Sequence, residues 1–520
     1  MARSRFEIMM GRSFRIISLK IILTSFSVLY GEDLTIASVF GNHMVFQQGV
    51  SIPVWGNAEP NDSLTITLGS RSIQTIVDEK GNWHVSFRKR RVSHNPIELA
   101  VRSKTGQIII RDILVGEVWI CTGQSNMEWP LSASDTGHEA IEDSNNNNLR
   151  LLNFKKGLST YNVPYLGDDI NKLFPNQFYS GEWKISSPES AAPFSGVGYF
   201  FGEKLQDELN VPVGLINVSV GGSPAEAWIR KEALASHPQL KIMVEGDWFK
   251  NKALEPWTVE RGNENLTQAI EKGLPIPEDE LGYNHPFKPG FLWEAGMKPM
   301  IQLPVSGVVW YQGESNAVSD WRVAQHESLL KLLIQDWREQ FQKDDMPFLF
   351  VQLPGMKRPH WVEFRVSQQK VHDAVSNTGM AITMDVGNPT DVHPKRKQPV
   401  GDRLARIALE QFYGKNIISH GPTLKSKRFR KGKLELRFDH IVKGLKTKNG
   451  MPPTGFELMD EAGEWYNAEA KIFGLNKILL SNMEIMNPKA IRYGWSPYPE
   501  PALNLINSVG LPMAPFINYE

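Results

Sequence analysis

Cysteine is nearly absent: Cys121 stands alone in 520 residues. No disulfide can form within the chain, so the fold must rest on buried apolar surface. Charge of one sign is also missing, since 57 Lys and Arg offset 57 Asp and Glu. That balance offers no footing for a nucleic acid or an anionic membrane surface. No internal repeat is present, and no run reaches the roughly 20 apolar residues needed to span a bilayer. The apolar run from Ile21 to Tyr30 is too short for that and follows Arg3, Arg5, Arg12, Arg15 and Lys20. It reads as a cleaved secretory signal over residues 1–31, which predicts a secreted or periplasmic protein. Cys121 itself lies in an apolar run and is expected to be a buried, inert thiol.

What is present is length, with 41% hydrophobic residues, enough for two or three domains. Residues 32–112 carry short β-branched runs, such as Leu64 to Leu68 and Trp83 to Phe87, separated by turn signals like Pro60-Asn61-Asp62. They predict a small β-sandwich. Residues 113–415 alternate apolar strand-like runs (Ile113 to Cys121, Val213 to Val220, Val305 to Tyr311, Phe348 to Leu353, Ala381 to Val386) with helical periodicities, the longest from Asp320 to Phe341. Such alternation predicts an α/β domain built on a parallel sheet. Two stretches interrupt it, near 128–193, with Asn145-Asn146-Asn147-Asn148, and near 231–299, rich in Pro and Gly; insertions of this kind often shape a cleft. Residues 416–520 return to β character and predict a second small β domain. The 15 Trp and 12 Tyr suit sugar-stacking surfaces, but for any one of them a core position is the default.

Four polar loops fall at the C-terminal ends of predicted strands, the edge where open α/β sheets place their sites. The first is Gly123-Gln124-Ser125-Asn126-Met127. A serine hydroxyl needs a base to take its proton and a turn that presents it; the competing reading is a serine that caps a helix. The second, Asn217 to Gly222, ends in paired glycines that can turn a backbone N–H toward a developing oxyanion. The third is Trp310-Tyr311-Gln312-Gly313-Glu314-Ser315-Asn316, in which Gln312 and Asn316 offer amide donors and Glu314 an acceptor. The fourth, Asp385 to Pro394, holds His393 in a proline-bounded loop with Asp391 two residues before it, a candidate base and a carboxylate to orient it.

These blocks resemble the sialate O-acetylesterase family of the SGNH hydrolase superfamily. The resemblance runs from Gly116-Glu117-Val118-Trp119 through Gly-Gln-Ser-Asn-Met-Glu-Trp-Pro, then Gly221-Gly222-Ser223-Pro224-Ala225-Glu226-Ala227-Trp228, the Gln312 block, and Asp391-Val392-His393-Pro394 to Gly401. It extends to the flanking β regions, which are similar to the accessory β domains of bacterial members. It implies an SGNH-type three-layer α/β/α domain flanked by two small β-sandwich-like domains, and hydrolysis of O-acetyl esters on sugars without a metal or cofactor. On matching positions it implies Ser125 as nucleophile and His393 as general base. The oxyanion donors would be the Ser125 N–H, a Gly221 or Gly222 N–H and the Gln312 side chain. For the third member two readings stand: Asp391 completes a triad, or a Ser-His dyad operates with a backbone carbonyl orienting His393.

Three functions compete: an esterase of O-acetylated sialate or a related glycan, an acetylxylan esterase acting on hemicellulose, and a catalytically inactive glycan-binding protein. The joint presence of Ser125, Gln312, Asp391 and His393 argues against the last. A sialate site wants a cation for the sugar carboxylate, and Arg230, Arg322 and Lys395 are candidates by position.

Overall fold

The computed structural model describes residues 34–430, 433–485 and 487–519; the proposed signal segment lies outside them. The molecule is a mixed α/β structure with one large mixed sheet and several small ones. Seven strands make its centre: β1 (Gln107–Gly123), β2 (Asn146–Asn153), β3 (Trp183–Ser186), β4 (Val213–Asn217), β5 (Gly307–Tyr311), β6 (Phe348–Val351) and β7 (Thr378–Ala381). Their order is 3-2-4-1-5-6-7. All neighbours are parallel except β3, which pairs antiparallel with β2.

Central strands buried on both faces read as continuous apolar runs, and the period of two sorts their side chains. Val118, Ile120, Val308, Trp310, Phe348 and Phe350 face one core, shared with Leu330, Leu333 and Trp337 of α4 (Asp320–Gln340). Trp119, Cys121, Val309, Tyr311, Leu349 and Val351 face the other, shared with α2 (Gly196–Leu209) and α6 (Gln398–Gln411). Three further helices matter below: α1 (Ser125–Glu128), α3 (Pro256–Glu271) and α5 (Trp361–Ala374). Cys121 is fully buried and burial pushes its thiol up to about 12, as expected of an inert core residue.

Strand β1 spans 17 residues without a break. Its first half pairs antiparallel with Ser93–Arg102, and its second half pairs parallel with β4 and β5. Midway, Asp112 takes a positive φ of 57°. Its carboxylate accepts from Arg150 Nη1 at 2.6 Å and meets His43 Nδ1 at 2.7 Å. The expected boundary between residues 112 and 113 therefore falls inside one strand. Beyond residue 416, two four-stranded antiparallel sheets enclose an apolar cluster that includes Leu436, Phe456, Ile478 and Ile491.

Three elements differ from the sequence reading. The Asn-rich stretch enters the central sheet as β2, because Leu149, Leu151 and Leu152 are buried and pair with β4. The last strand is Thr378–Ala381, and Met384–Val386 is a single 3₁₀ turn. The second insertion contains α3, whose first turn carries Pro256. Among the described residues no helix is long and apolar enough to cross a membrane.

Candidate active site

The C-terminal ends of β1, β4 and β5 and the loop after β7 converge on one cleft of about 990 Å³. Gly123 ends β1 at φ 135°, and a Cβ there would lie 2.2 Å from the Tyr311 carbonyl oxygen. Only glycine permits that close approach of β1 and β5 without strain. The Gln124 N–H donates to the same carbonyl at 2.9 Å, and Gln124 Oε1 accepts from Gly313 and Ser315 N–H at 3.3 and 3.2 Å. The turn is thus held on both sides, and α1 begins with Ser125 facing the cleft.

Ser125 does not cap that helix; the N-cap is Gln124. Its Oγ instead lies 2.8 Å from His393 Nε2. The imidazole stacks on Trp129 with ring centres 5.2 Å apart and planes inclined by 22°. Burial and the nearby Lys397 cation lower the His393 pKa below the ordinary imidazole value, against a smaller opposing pull from Asp391. Asp391 comes close without completing a hydrogen bond to the ring: Oδ1 stands 3.8 Å from Nδ1. The same oxygen accepts from the His393 backbone N–H at 2.9 Å, and half of the Asp391 side chain is exposed.

The expected oxyanion donors divide. Ser125 and Gly222 line the cleft, and the backbone N–H of neither has a hydrogen-bond partner among the described residues. The Gly221 N–H is engaged, donating to Glu128 Oε2 at 2.6 Å. The other oxygen of Glu128 takes Lys156 Nζ. Gln312 is 1% exposed, and its amide donates to Asn316 Oδ1 at 2.6 Å and Ser223 O at 3.3 Å. Its side chain is therefore turned into the protein. Asn316 is also committed, donating to Glu226 Oε2 at 3.0 Å and accepting from the Ala225 N–H at 3.0 Å.

Glu314 serves as a buried acceptor for Asn126, and burial raises its carboxyl pKa against the opposing pull of Asn126, Lys397 and Arg358. None of the three cations proposed from position reaches the cleft. Arg322 is buried, its Nη2 donating to both carboxylate oxygens of Glu226, Arg230 binds Asp336, and Lys395 is exposed elsewhere. The cleft is lined instead by Lys155, Lys156, Arg261 and Arg358, with Trp129, Tyr161, Trp257 and Phe287 supplying aromatic faces. Tyr161 is 77% exposed at its edge. Lys156 and Arg261 lie in the insertions, outside any motif, so nothing in the sequence marked them. Asn126, Glu128, Trp129 and Lys397 lie inside the matched blocks, and their adjacency to Ser125 and His393 was the available signal. Among the described residues no group of three or more His, Cys, Asp or Glu side chains converges as metal ligands do.

A serine hydroxyl on an imidazole, beside free backbone N–H groups at the edge of a parallel sheet, is the arrangement by which serine hydrolases cleave esters. The comparisons agree in class. Residues 115–244 and 293–410 match the family model described as carbohydrate esterase, sialic acid-specific acetylesterase. The sialate O-acetylesterase of Mus musculus is 27% identical over 513 residues, covering 90% of this chain and 91% of that protein. The sialate O-acetylesterase of Homo sapiens is 25% identical over 514 residues, covering 90% and 89%. The crystal structure of a carbohydrate acetylesterase from Xanthomonas citri matches with a TM-score of 0.76 and 30% identity, over 93% of this chain and 99% of that one. The chain belongs to the sialic acid-specific acetylesterase family of carbohydrate esterases, and it is an ester hydrolase.

Proposed function

We propose that the protein removes O-acetyl groups from an acidic sugar of the sialate type, with Ser125 as nucleophile and His393 as general base. The observation that carries the mechanism is the 2.8 Å contact between Ser125 Oγ and His393 Nε2 at the floor of the cleft. Ser125 Oγ attacks the acetyl carbonyl carbon as its proton passes to Nε2. The oxyanion accepts from the Ser125 and Gly222 N–H groups. Collapse breaks the bond to the sugar oxygen, which takes the proton from His393 and leaves as the alcohol. A water then gives its proton to His393, attacks the acetyl-enzyme, and releases acetate as Ser125 regains its proton. Asp391 acts on the imidazolium through space and holds the loop through the His393 N–H.

The acidic sugar is supported by the family and by Lys155 and Arg358 along the cleft, which, unlike Lys156 and Arg261, have no carboxylate ion pair among the described residues, and the aromatic faces suit a sugar ring. In this reading the central α/β part is of the SGNH type. The strands of residues 34–112 and those beyond residue 416 then form two β units beside it, and residues 1–31 are a cleaved export signal, as N-terminal sequencing of the mature protein would show.

Acetate release from O-acetylated sialic acids, acetylated xylan fragments and pectin tests the substrate. Turnover of the sialic acids with the highest kcat/KM is expected. Preference for xylan fragments would make the protein a hemicellulose esterase, and glycan binding without release would make it a lectin. Replacing Ser125 or His393 with Ala is expected to lower kcat by roughly four to six orders of magnitude. A Ser125→Ala enzyme near the wild-type rate would refute the nucleophile.

A further inference from the structure

The imidazole of His393 rides on a loop bounded by Pro389 and Pro394, and the carboxylate closest to it in sequence does not hold its ring. A base placed this way needs another anchor, since small misplacements of a reacting group cost large factors in rate. The anchor is visible one residue away from each partner. Asn126 follows Ser125, and Val392 precedes His393. Asn126 Nδ2 donates to the Val392 carbonyl at 2.9 Å, joining the two loops by a very short route. The second hydrogen of that amide goes to Glu314 on the loop after β5. Asn126 is fully buried.

An amide can point either way, and only one orientation makes this link. Lys397 fixes the choice. Its ammonium is donor-only, is 1% exposed, and reaches Asn126 Oδ1 at 2.5 Å. The carbonyl end of Asn126 must then face Lys397, and the NH₂ end must face Glu314 and Val392. The same ammonium sits 5.5 Å from the ring centre of Trp129, which stacks on His393, and 5.6 Å from that of Tyr311. We infer that Asn126 and Lys397 are positioning residues, a buried clamp that locks the loop of His393 onto the loop of Ser125 and sets an ammonium group beside the base. The inference rests on the proposed roles of Ser125 and His393.

The charge has its own consequence. His393 faces Ser125 and Trp129 from α1 and the residue after it, and Asp391 and Lys397 from its own loop. Lys397 faces Asn126, Trp129, Tyr311, Glu314 and Asp391. Glu314 also feels Arg358. Burial lowers Lys397 to about 7, so it is charged over the acidic range in which His393 takes up its proton. A cation there disfavours the imidazolium and keeps the base neutral at lower pH.

The test is steady-state kinetics of acetate release against pH for the wild type, Lys397→Met, Lys397→Arg, Asn126→Ala, Asn126→Asp and the Asn126→Ala/Lys397→Met double variant, with Ser125→Ala alongside. Lys397→Met and Asn126→Ala are each expected to lower kcat roughly ten- to a thousandfold with KM little changed. The double variant should be little worse than the poorer single one, because both remove one device. The acid limb of kcat/KM should move to higher pH in Lys397→Met and stay in place in Lys397→Arg. Asn126→Asp keeps the acceptor for Lys397 but loses both donors. It should fall as far as Asn126→Ala, and it carries the test if Lys397→Met does not fold. An unmoved acid limb in Lys397→Met, single losses that multiply in the double variant, or near wild-type kcat in Asn126→Asp would overturn the clamp. If Ser125→Ala is inactive while these variants are not, the clamp alone fails. If Ser125→Ala remains active, the proposed nucleophile fails with it.

Discussion

At the scale of single residues, the informative distance is 3.8 Å, from Asp391 Oδ1 to His393 Nδ1. A buried carboxylate hydrogen-bonded to the imidazole can be worth about four orders of magnitude in kcat. Asp391 is half exposed and bonds the backbone instead, so solvent screens much of its effect. Asp391→Asn is therefore expected to lower kcat only about ten- to a hundredfold. A ten-thousandfold loss would show that the loop closes to a full triad with substrate bound. The meeting of Ser125 and His393 was legible from their loops, because strand-end turns on one edge of a parallel sheet converge. Gln312 was not: its residue type suits an oxyanion donor, but side-chain direction is set by packing, and the partners that claim it, Ser223 and Asn316, come from two different loops.

At the scale of elements, Arg322 makes the same point. It stands near the start of α4, in reach of the cleft by sequence position alone. Burial converts it into a structural ion, 0% exposed in its side chain and paired with Glu226, whose side chain is 1% exposed. The pair ties α4 to the 3₁₀ turn Ala225–Trp228, and through Asn316 to the loop after β5. Removing one partner leaves an uncompensated buried charge, so Glu226→Ala should cost about 3–5 kcal/mol of unfolding free energy. Denaturant titration measures it; a cost below about 1 kcal/mol would mean that Arg322 finds water instead. Helix α4 was readable to within a residue, since the stretch expected from Asp320 to Phe341 is helical over Asp320–Gln340 with Leu329, Leu330, Leu333 and Trp337 buried. Strand β2 was not, because its asparagines signal a turn while its leucines owe their strand state to β4.

At the scale of the molecule, buried neutral histidines contribute to behaviour in acid, beside ion-paired carboxylates such as Asp385 and Asp279. Burial, helped by Arg261 and Lys288, lowers His285 to about 3, and burial with Arg322 does the same for His326. The unfolded chain binds a proton at each site near the ordinary value of about 6.5, and the folded chain does not until about 3. Their contribution is fully present above about pH 6.5 and is lost as pH falls, at up to ~1.4 kcal/mol per pH unit for each site. Glu203 works in the opposite sense: burial raises it to about 7, so it gains stability as pH falls through that value. A comparison of Tm against pH for wild type and His326→Asn isolates the histidine: the variant should show the shallower fall below about pH 6.5. Equal slopes would mean that His326 takes up its proton within the folded state.

The unbroken strand β1 bears on how such a protein can be rebuilt. A chain whose parts met only at a flexible linker could trade its N-terminal unit like a cassette. Here the backbone that seals the N-terminal strands is the same backbone that delivers Ser125, with Asp112 and Arg150 pinned at the midpoint. A cut or graft at that seam would split a structural beam rather than open a hinge. Recombination of this scaffold with foreign modules should therefore succeed only where the junction spares residues 107–123.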